Sequence, residues 1–199
     1  MVTMITPVCS KKYAYRKRLI TALFCCFLPL ILLYAETSTS DEADWSETEW
    51  NADELFAAIK QYAGSPVVDM AGILTLSEQQ EIAVRFTEFS ESLKTDASVV
   101  LVPDTGDLTA EAYADDFFDY GGYGTGEDRD GILLLIVTGG ESGGRREVYI
   151  STSGPRTIRT VTDSRVEDLL DALIDGGLAA GNYPAGIDAY IDELHAIIK

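Results

Sequence analysis

The sequence predicts a single-domain α/β/α sandwich, a small mixed central sheet flanked by helices. Two runs, Ser98–Pro103 (SVVLVP) and Ile132–Thr138 (ILLLIVT), are apolar almost without interruption. A strand reads this way when both of its faces are buried, because neither side meets water. Around these runs apolar residues recur at intervals of three and four, the spacing of one helix face. Strands of the first kind alternating with helices of the second imply a sheet covered on both sides.

In chain order, Asn51 followed by Glu54 reads as a capping box opening a short helix with Leu55, Ala58, Ile59 and Tyr62 on one face, ended by Gly64-Ser65-Pro66. VVDMAGIL (67–74) follows. Thr75 and Glu78 form a second capping box, and Ile82, Phe86, Phe89 and Leu93 recur at helical spacing behind it. After the first strand, Thr109–Asp119 predicts a helix with Tyr113, Ala114, Phe117 and Phe118 apolar. The Gly-rich stretch GGYGTGEDRDG (121–131) then leads into the second strand, and GGESGG (139–144) turns the chain toward REVYIST (146–152), a hairpin partner. Ser164 and Glu167 predict the cap of a helix carrying Val166, Leu169, Leu170 and Leu173, closed by Gly176-Gly177. Pro184 starts the last helix, with Ile187, Tyr190, Ile191, Leu194 and Ile198 on its inner face.

Three segments follow from composition: 1–35 as a signal peptide or N-terminal membrane anchor, 36–59 as an acidic tether with the short helix, and 60–199 as the domain. The basic stretch KKYAYRKR precedes the apolar run Leu19–Ala35, and a polar acidic segment follows it. This order points the domain to the extracytoplasmic side, secreted or tethered to the membrane through its N-terminal segment. Cys9, Cys25 and Cys26 all lie in the targeting segment, so the domain is expected to have no disulfide, thiolate metal site or cysteine nucleophile. The five basic residues of the first 35 positions leave ten for the rest of the chain, against all 33 acidic ones, a formal charge of −23 there. Such a surface repels phosphate backbones, so nucleic acid is not expected as a partner. It attracts divalent cations and basic proteins.

The Gly-rich loop fails two motif tests. A phosphate-binding glycine turn leads from a strand into a helix, whereas this one leads from a helix into a strand and carries no lysine. Aligned as an EF-hand on Gly131, Asp128 and Asp130 fit the third and fifth positions, but Gly126 and Val137 stand where acids are needed. Two carboxylates at a tight turn remain, a pattern that suits a hard cation or a solvated turn. No Gly-x-Ser-x-Gly or His-Glu-x-x-His is present, and the one histidine, His195, sits beside Leu194 on the last helix as a surface or packing residue. Catalysis would have to rest on carboxylates, hydroxyls and a bound metal. Arg145, Arg146, Arg156, Arg159 and Arg165 read as neutralising partners for neighbouring acids, with an anion grip as the alternative.

The pieces VVDMAGILTLSEQQEI, YADDFFDYGGYGTGEDRDGILLLIV, VYISTSG, TDSRVEDLLDAL and GNYPAGIDAYIDEL occur in one order. Together, over about 66–195, they resemble the TPM domain family, in the Gly-rich versions seen in exported proteins of Gram-positive bacteria. The resemblance implies an extracytoplasmic, membrane-associated α/β/α sandwich. Some relatives are described as acid phosphatases and others bind calcium or associate with membrane receptors. Residue by residue it implies roles for Asp69 in the Asp-x-Ala-Gly turn, Asp130 before the Gly-x-Leu-Leu strand, and Asp163 at the start of the next helix. Many relatives end in a transmembrane helix and a Gly/Ser-rich tail, so attachment here is expected at the N-terminal end. The strand closes in Ser-Thr-Ser-Gly where others have Thr-Gly. If Asp69, Asp128 and Asp130 converge at one sheet edge, they would hold calcium or another divalent cation, with Asp119, Glu127 and Asp163 nearby. The expected function is a cation-binding envelope module engaged in protein interaction or maintenance; a metal-assisted acid phosphatase is the alternative.

Overall fold

The structure, a computed structural model, describes residues 50–140 and 143–199. The segment read as signal peptide or anchor, the segment read as tether up to residue 49, and the middle of the GGESGG turn lie outside the described residues. Six helices and four strands follow in the order α1 (Trp50–Tyr62), β1 (Val67–Asp69), α2 (Leu76–Leu93), β2 (Asp96–Val102), α3 (Ala110–Tyr120), β3 (Gly131–Val137), β4 (Glu147–Ser153), α4 (Pro155–Thr160), α5 (Asp163–Gly176) and α6 (Tyr183–Ile197). The strands lie side by side in sequence order. The first three are parallel, and β4 returns antiparallel to β3 as the sequence predicts.

Strand β3 is the centre of the packing, buried along its whole length. Its side chains alternate between the two faces. Ile132, Leu134 and Ile136 join Phe86 and Phe89 of α2, Leu169 and Leu173 of α5, and Ile187, Ile191 and Leu194 of α6. Leu133, Leu135 and Val137 join Leu55 and Ile59 of α1 and Phe117 and Phe118 of α3. The short helix expected within 36–59 is α1, which puts Leu55 and Ile59 of its apolar face into the second layer. Both parallel crossovers step the same way across the sheet, yet α2 and α3 cover opposite faces. One crossover thus has the left-handed sense, which is rare in βαβ units.

Local signals explain most boundaries. Thr75 and Glu78 cap α2 reciprocally: the Glu78 N–H donates to Thr75 Oγ1 (3.3 Å) and the Thr75 N–H to Glu78 Oε2 (2.7 Å). Those bonds hold the exposed Glu78 carboxyl below its ordinary pKa. Thr109 caps α3 and Asn182 caps α6 through their side-chain oxygens. Arg85 of α2 donates to Asp188 and Asp192 of α6 (2.5 Å each), joining two helices of the first layer. His195 meets the Phe89 ring edge-on at 4.8 Å, a packing role. Three readings differ from expectation. Helix α1 already includes Trp50 and Asn51, so Asn51 does not cap it; α5 begins at Asp163 after Thr162 rather than after Ser164; and the short α4 lies where no helix is predicted. No described helix is long and apolar enough to cross a membrane.

Leu134 sits at the middle of this core, fully buried. Leu134→Ala should cost about 3–4 kcal/mol of unfolding free energy, read from urea denaturation of the purified chain.

Candidate functional site

The Gly-rich loop between α3 and β3 is a closed structure. Thr125 and Asp130 exchange both backbone hydrogen bonds (2.9 and 3.0 Å), so Gly126–Arg129 form the tip of a tight hairpin. The Asp130 carbonyl also accepts from the Asp96 N–H (3.1 Å), and Asp96 Oδ2 accepts from the Gly124 N–H (2.7 Å). Tyr123 is buried beneath, its hydroxyl donating to the Ser65 carbonyl (3.0 Å). Burial and the nearby Asp96 carboxylate push the Tyr123 phenol well up from its ordinary pKa.

The loop's interior is held by Arg129. Its Nη2 donates to the carbonyls of Phe118 (2.9 Å), Tyr123 (3.0 Å) and Asp119 (3.1 Å), and its Nε to Tyr123 (3.1 Å). The guanidinium stands 5.5 Å over the Phe118 ring, and Nη1 lies 3.7 Å from Asp119 Oδ1. The last carbonyls of a helix have no intrahelical donor and carry the negative end of its dipole, so a cation is the fitting cap for α3. Arg129 takes a left-handed backbone to reach them (φ 52°). Gly124 (φ 98°) makes room, because a Cβ there would stand 2.7 Å from the Arg129 carbonyl oxygen.

Asp130 anchors the same end of the sheet to α4. Its Oδ1 accepts the N–H groups of Arg156 (3.0 Å) and Thr157 (3.2 Å), the open donors in the first turn of α4. Helix α4 follows Gly154, which has no side chain to cap it, so the cap comes from a distant residue. Gly154 (φ 82°) is required twice over. A Cβ there would stand 2.5 Å from the Asp130 Cα and overlap its Oδ1. This is the physical content of the Ser-Thr-Ser-Gly ending of β4.

Asp69 does not join these acids. It closes β1 at the C-terminal end of the parallel strands, in the row of Leu101 and Ile136, whereas Asp130 precedes the start of β3. The six-residue offset corresponds to roughly 20 Å along the sheet. Asp69 instead accepts the Leu74 N–H (2.7 Å) and the Ile73 N–H (3.2 Å), capping its own turn. Asp128 and Glu127 are exposed at the hairpin tip, and Asp119 is paired with Arg129. Asp163 is exposed at the first position of α5. The structure does not bring Asp69 together with Asp128 and Asp130, because parallel strands place the end of one strand and the start of another at opposite ends of the sheet. Among the described residues no group of three or more His, Cys, Asp or Glu side chains is arranged to hold a metal ion. Within the loop the Tyr123 carbonyl accepts from Arg129, and Asp130 Oδ1 accepts from the first turn of α4.

The broad concave surface lies elsewhere, along β4. It is a groove between the β2–α3 turn with the start of α3 on one flank and α4–α5 on the other. Val148, Ile150, Ile158, Val161, Val166 and Leu170 supply its apolar lining. Its carboxylates are Asp104, Asp107, Glu111, Asp115, Glu147 and Asp163. Arg145, the one basic residue there, is ion-paired with Glu147. Asp115 Oδ1 accepts from Ser151 Oγ (2.6 Å), tying α3 to β4. Sequence reasoning reached Asp163 but not this groove, nor the Arg129 plug. The Pro after Gly154 was a readable signal for α4; Arg129 gave none, since its role depends on where α3 ends in space.

Gly154→Ala should destabilise the chain by more than about 2 kcal/mol in denaturant unfolding, from the positive φ and the overlap with Asp130 together. A second expectation concerns pH. Burial, then the neighbouring Asp115 and Asp119 carboxylates, raise the Asp116 carboxyl above its ordinary value of 3.8. The folded state therefore holds that proton longer, and this contribution to stability falls as pH rises through the window above 3.8. Asp116→Asn should raise Tm at pH 7 by about 2 °C, a gain that vanishes below about pH 4 in scanning calorimetry at both pH values.

Comparison with known proteins agrees with this architecture. A family model described as the TPM domain matches residues 67–197. No curated protein matches the chain significantly. Among solved structures it is similar to the N-terminal domain of a protein from P. gingivalis, with 20% identity over 72% of this chain and 89% of that one and a TM-score of 0.55. It is similar also to the N-terminal domain of the cg2496 protein from Corynebacterium glutamicum (14% identity, 70% and 83% covered, TM-score 0.52). A third is the BA42 protein from the psychrophilic Bizionia argentinensis (17% identity, 63% and 81% covered, TM-score 0.51). At these identities the likeness is one of fold. The family match, spanning both layers of the sandwich and the Gly-rich loop, shows that this chain belongs to the TPM domain family.

Proposed function

We propose that this chain is an extracytoplasmic, membrane-associated TPM-domain protein that acts by binding another protein of the envelope. The single observation that carries this reading is the commitment of its most suggestive carboxylates. Asp69 and Asp130 stand at opposite ends of the parallel strands, and each is engaged by main-chain N–H groups. A metal-assisted phosphatase needs such groups together and available to an ion that polarises the phosphoryl oxygens. The basic segment before Leu19–Ala35 supports the extracytoplasmic placement and the N-terminal attachment to the membrane. Divalent cations associate with the outer carboxylates Asp119, Glu127 and Asp128, weakly, on the scale of extracellular calcium modules at about millimolar.

The test is an assay of the full chain with a simple phosphomonoester, at pH 5 and pH 7, with calcium and with magnesium. No turnover above the uncatalysed rate is expected. Turnover that Asp130→Asn abolishes while circular dichroism stays native would establish the phosphatase instead. In a parallel calcium titration, amide shifts are expected only at millimolar ion and around the hairpin tip. A micromolar site including Asp69 would contradict the reading.

A further inference from the structure

Strand β4 is an open edge of the sheet. It has β3 on one side and no strand on the other, and no backbone segment among the described residues hydrogen-bonds to its outer side. One residue in two of such a strand turns its N–H and C=O outward. Edge strands are usually defended by lysine, proline, a bulge or shortness. The sequence EVYISTS has seven residues in unbroken register with β3 and contains neither lysine nor proline. The opposite edge, β1, has only three residues.

The surroundings of β4 state what chemistry would cover it. Its outer edge opens into the groove already described, where Val148 and Ile150 project toward the α4–α5 flank and Ile158 is 45% exposed. Carboxylates stand on both flanks, Asp104, Asp107, Glu111 and Asp115 on the α3 side and Asp163 on the other. A second copy of this chain would bring the same acids face to face, with like charges opposed. A chain alternating basic with aliphatic residues complements both features at once. Its main chain completes the ladder, alternate aliphatic side chains meet the apolar lining, and its cations face the carboxylates.

We propose that the β4 edge accepts an extended basic segment of a partner protein as a fifth strand of the sheet. This rests on the protein-binding reading above and names the partner chemistry for it. The probe is an acetylated, amidated octapeptide alternating lysine and valine, added to the full chain. On saturation, alternate amides within Glu147–Ser153 should exchange with solvent about tenfold more slowly, read by NMR hydrogen exchange. Glu111→Lys combined with Asp163→Lys should weaken binding about tenfold by isothermal titration. Should that variant misfold, Glu111→Gln with Asp163→Asn keeps the test, with a smaller weakening of the same sign. The proposal is overturned if β4 exchange is unchanged, or if a glutamate–valine octapeptide binds as well. Equal binding by a lysine–valine peptide N-methylated at alternate residues would overturn it too, since that chain cannot complete the ladder. Protection of β4 that rises with protein concentration without peptide would assign the edge to a second copy instead. Phosphomonoester turnover would sink the protein-binding reading whatever the peptide does. Failure of the peptide on a folded, inactive chain removes strand addition alone.

Discussion

Two-sided burial of β3 is the constraint from which the rest of the architecture follows. Seven consecutive residues from Gly131 to Val137 are shielded from water. With side chains alternating across the strand, a helical layer is needed on each face, and neither could be removed without exposing three large aliphatic groups. The polar chemistry of the molecule is therefore pushed to the sheet's two ends and its open edge. The acids gather where the core lets go of the chain.

At the N-terminal end of the parallel strands that boundary is closed by a lock of three residues. Arg129 caps α3, Asp130 caps α4, and Asp96 ties the loop to β2. Each pairs a charged side chain with backbone groups that a helix end or loop leaves open, the strongest ordinary way to satisfy them. Gly124 in the loop gives the backbone room to approach Arg129 closely, as Gly154 after β4 does for Asp130, and both serve rigidity. Within the acidic Gly-rich stretch, the charge that caps α3 and pairs with Asp119 is the chain's own Arg129.

The unforeseen α4 and the open edge beside it are two sides of one arrangement. Because Gly154 turns the chain sharply after β4, α4 and α5 fold back along one flank of the strand, and among the described residues no strand pairs with its outer side. The same turn needs Asp130 against it, so the lock at the sheet end and the shape of the groove are coupled through one close contact. Disturbing the loop should therefore be felt along β4, even though Asp130 takes no direct part in the groove.

Much of this was legible beforehand. Apolar runs at Ser98–Pro103 and Ile132–Thr138, the Thr75–Glu78 capping box, and the aliphatic spacing of α2, α3 and α6 depend on a few neighbouring residues, and local chemistry states them fully. That is why the α/β/α class, the β3–β4 hairpin and the inner face of α6 could be read from the letters. The carboxylates could be named the same way, but not placed. Asp69 and Asp130 look alike as acids at turns beside strands. Only the parallel direction of β1 and β3 puts one at each end of the sheet, and direction is set by how the helices between them pack. Arg129 and the bare edge of β4 belong to that second kind of fact. A cation's partners and a strand's missing neighbour are relations between distant segments, which the tertiary structure alone decides.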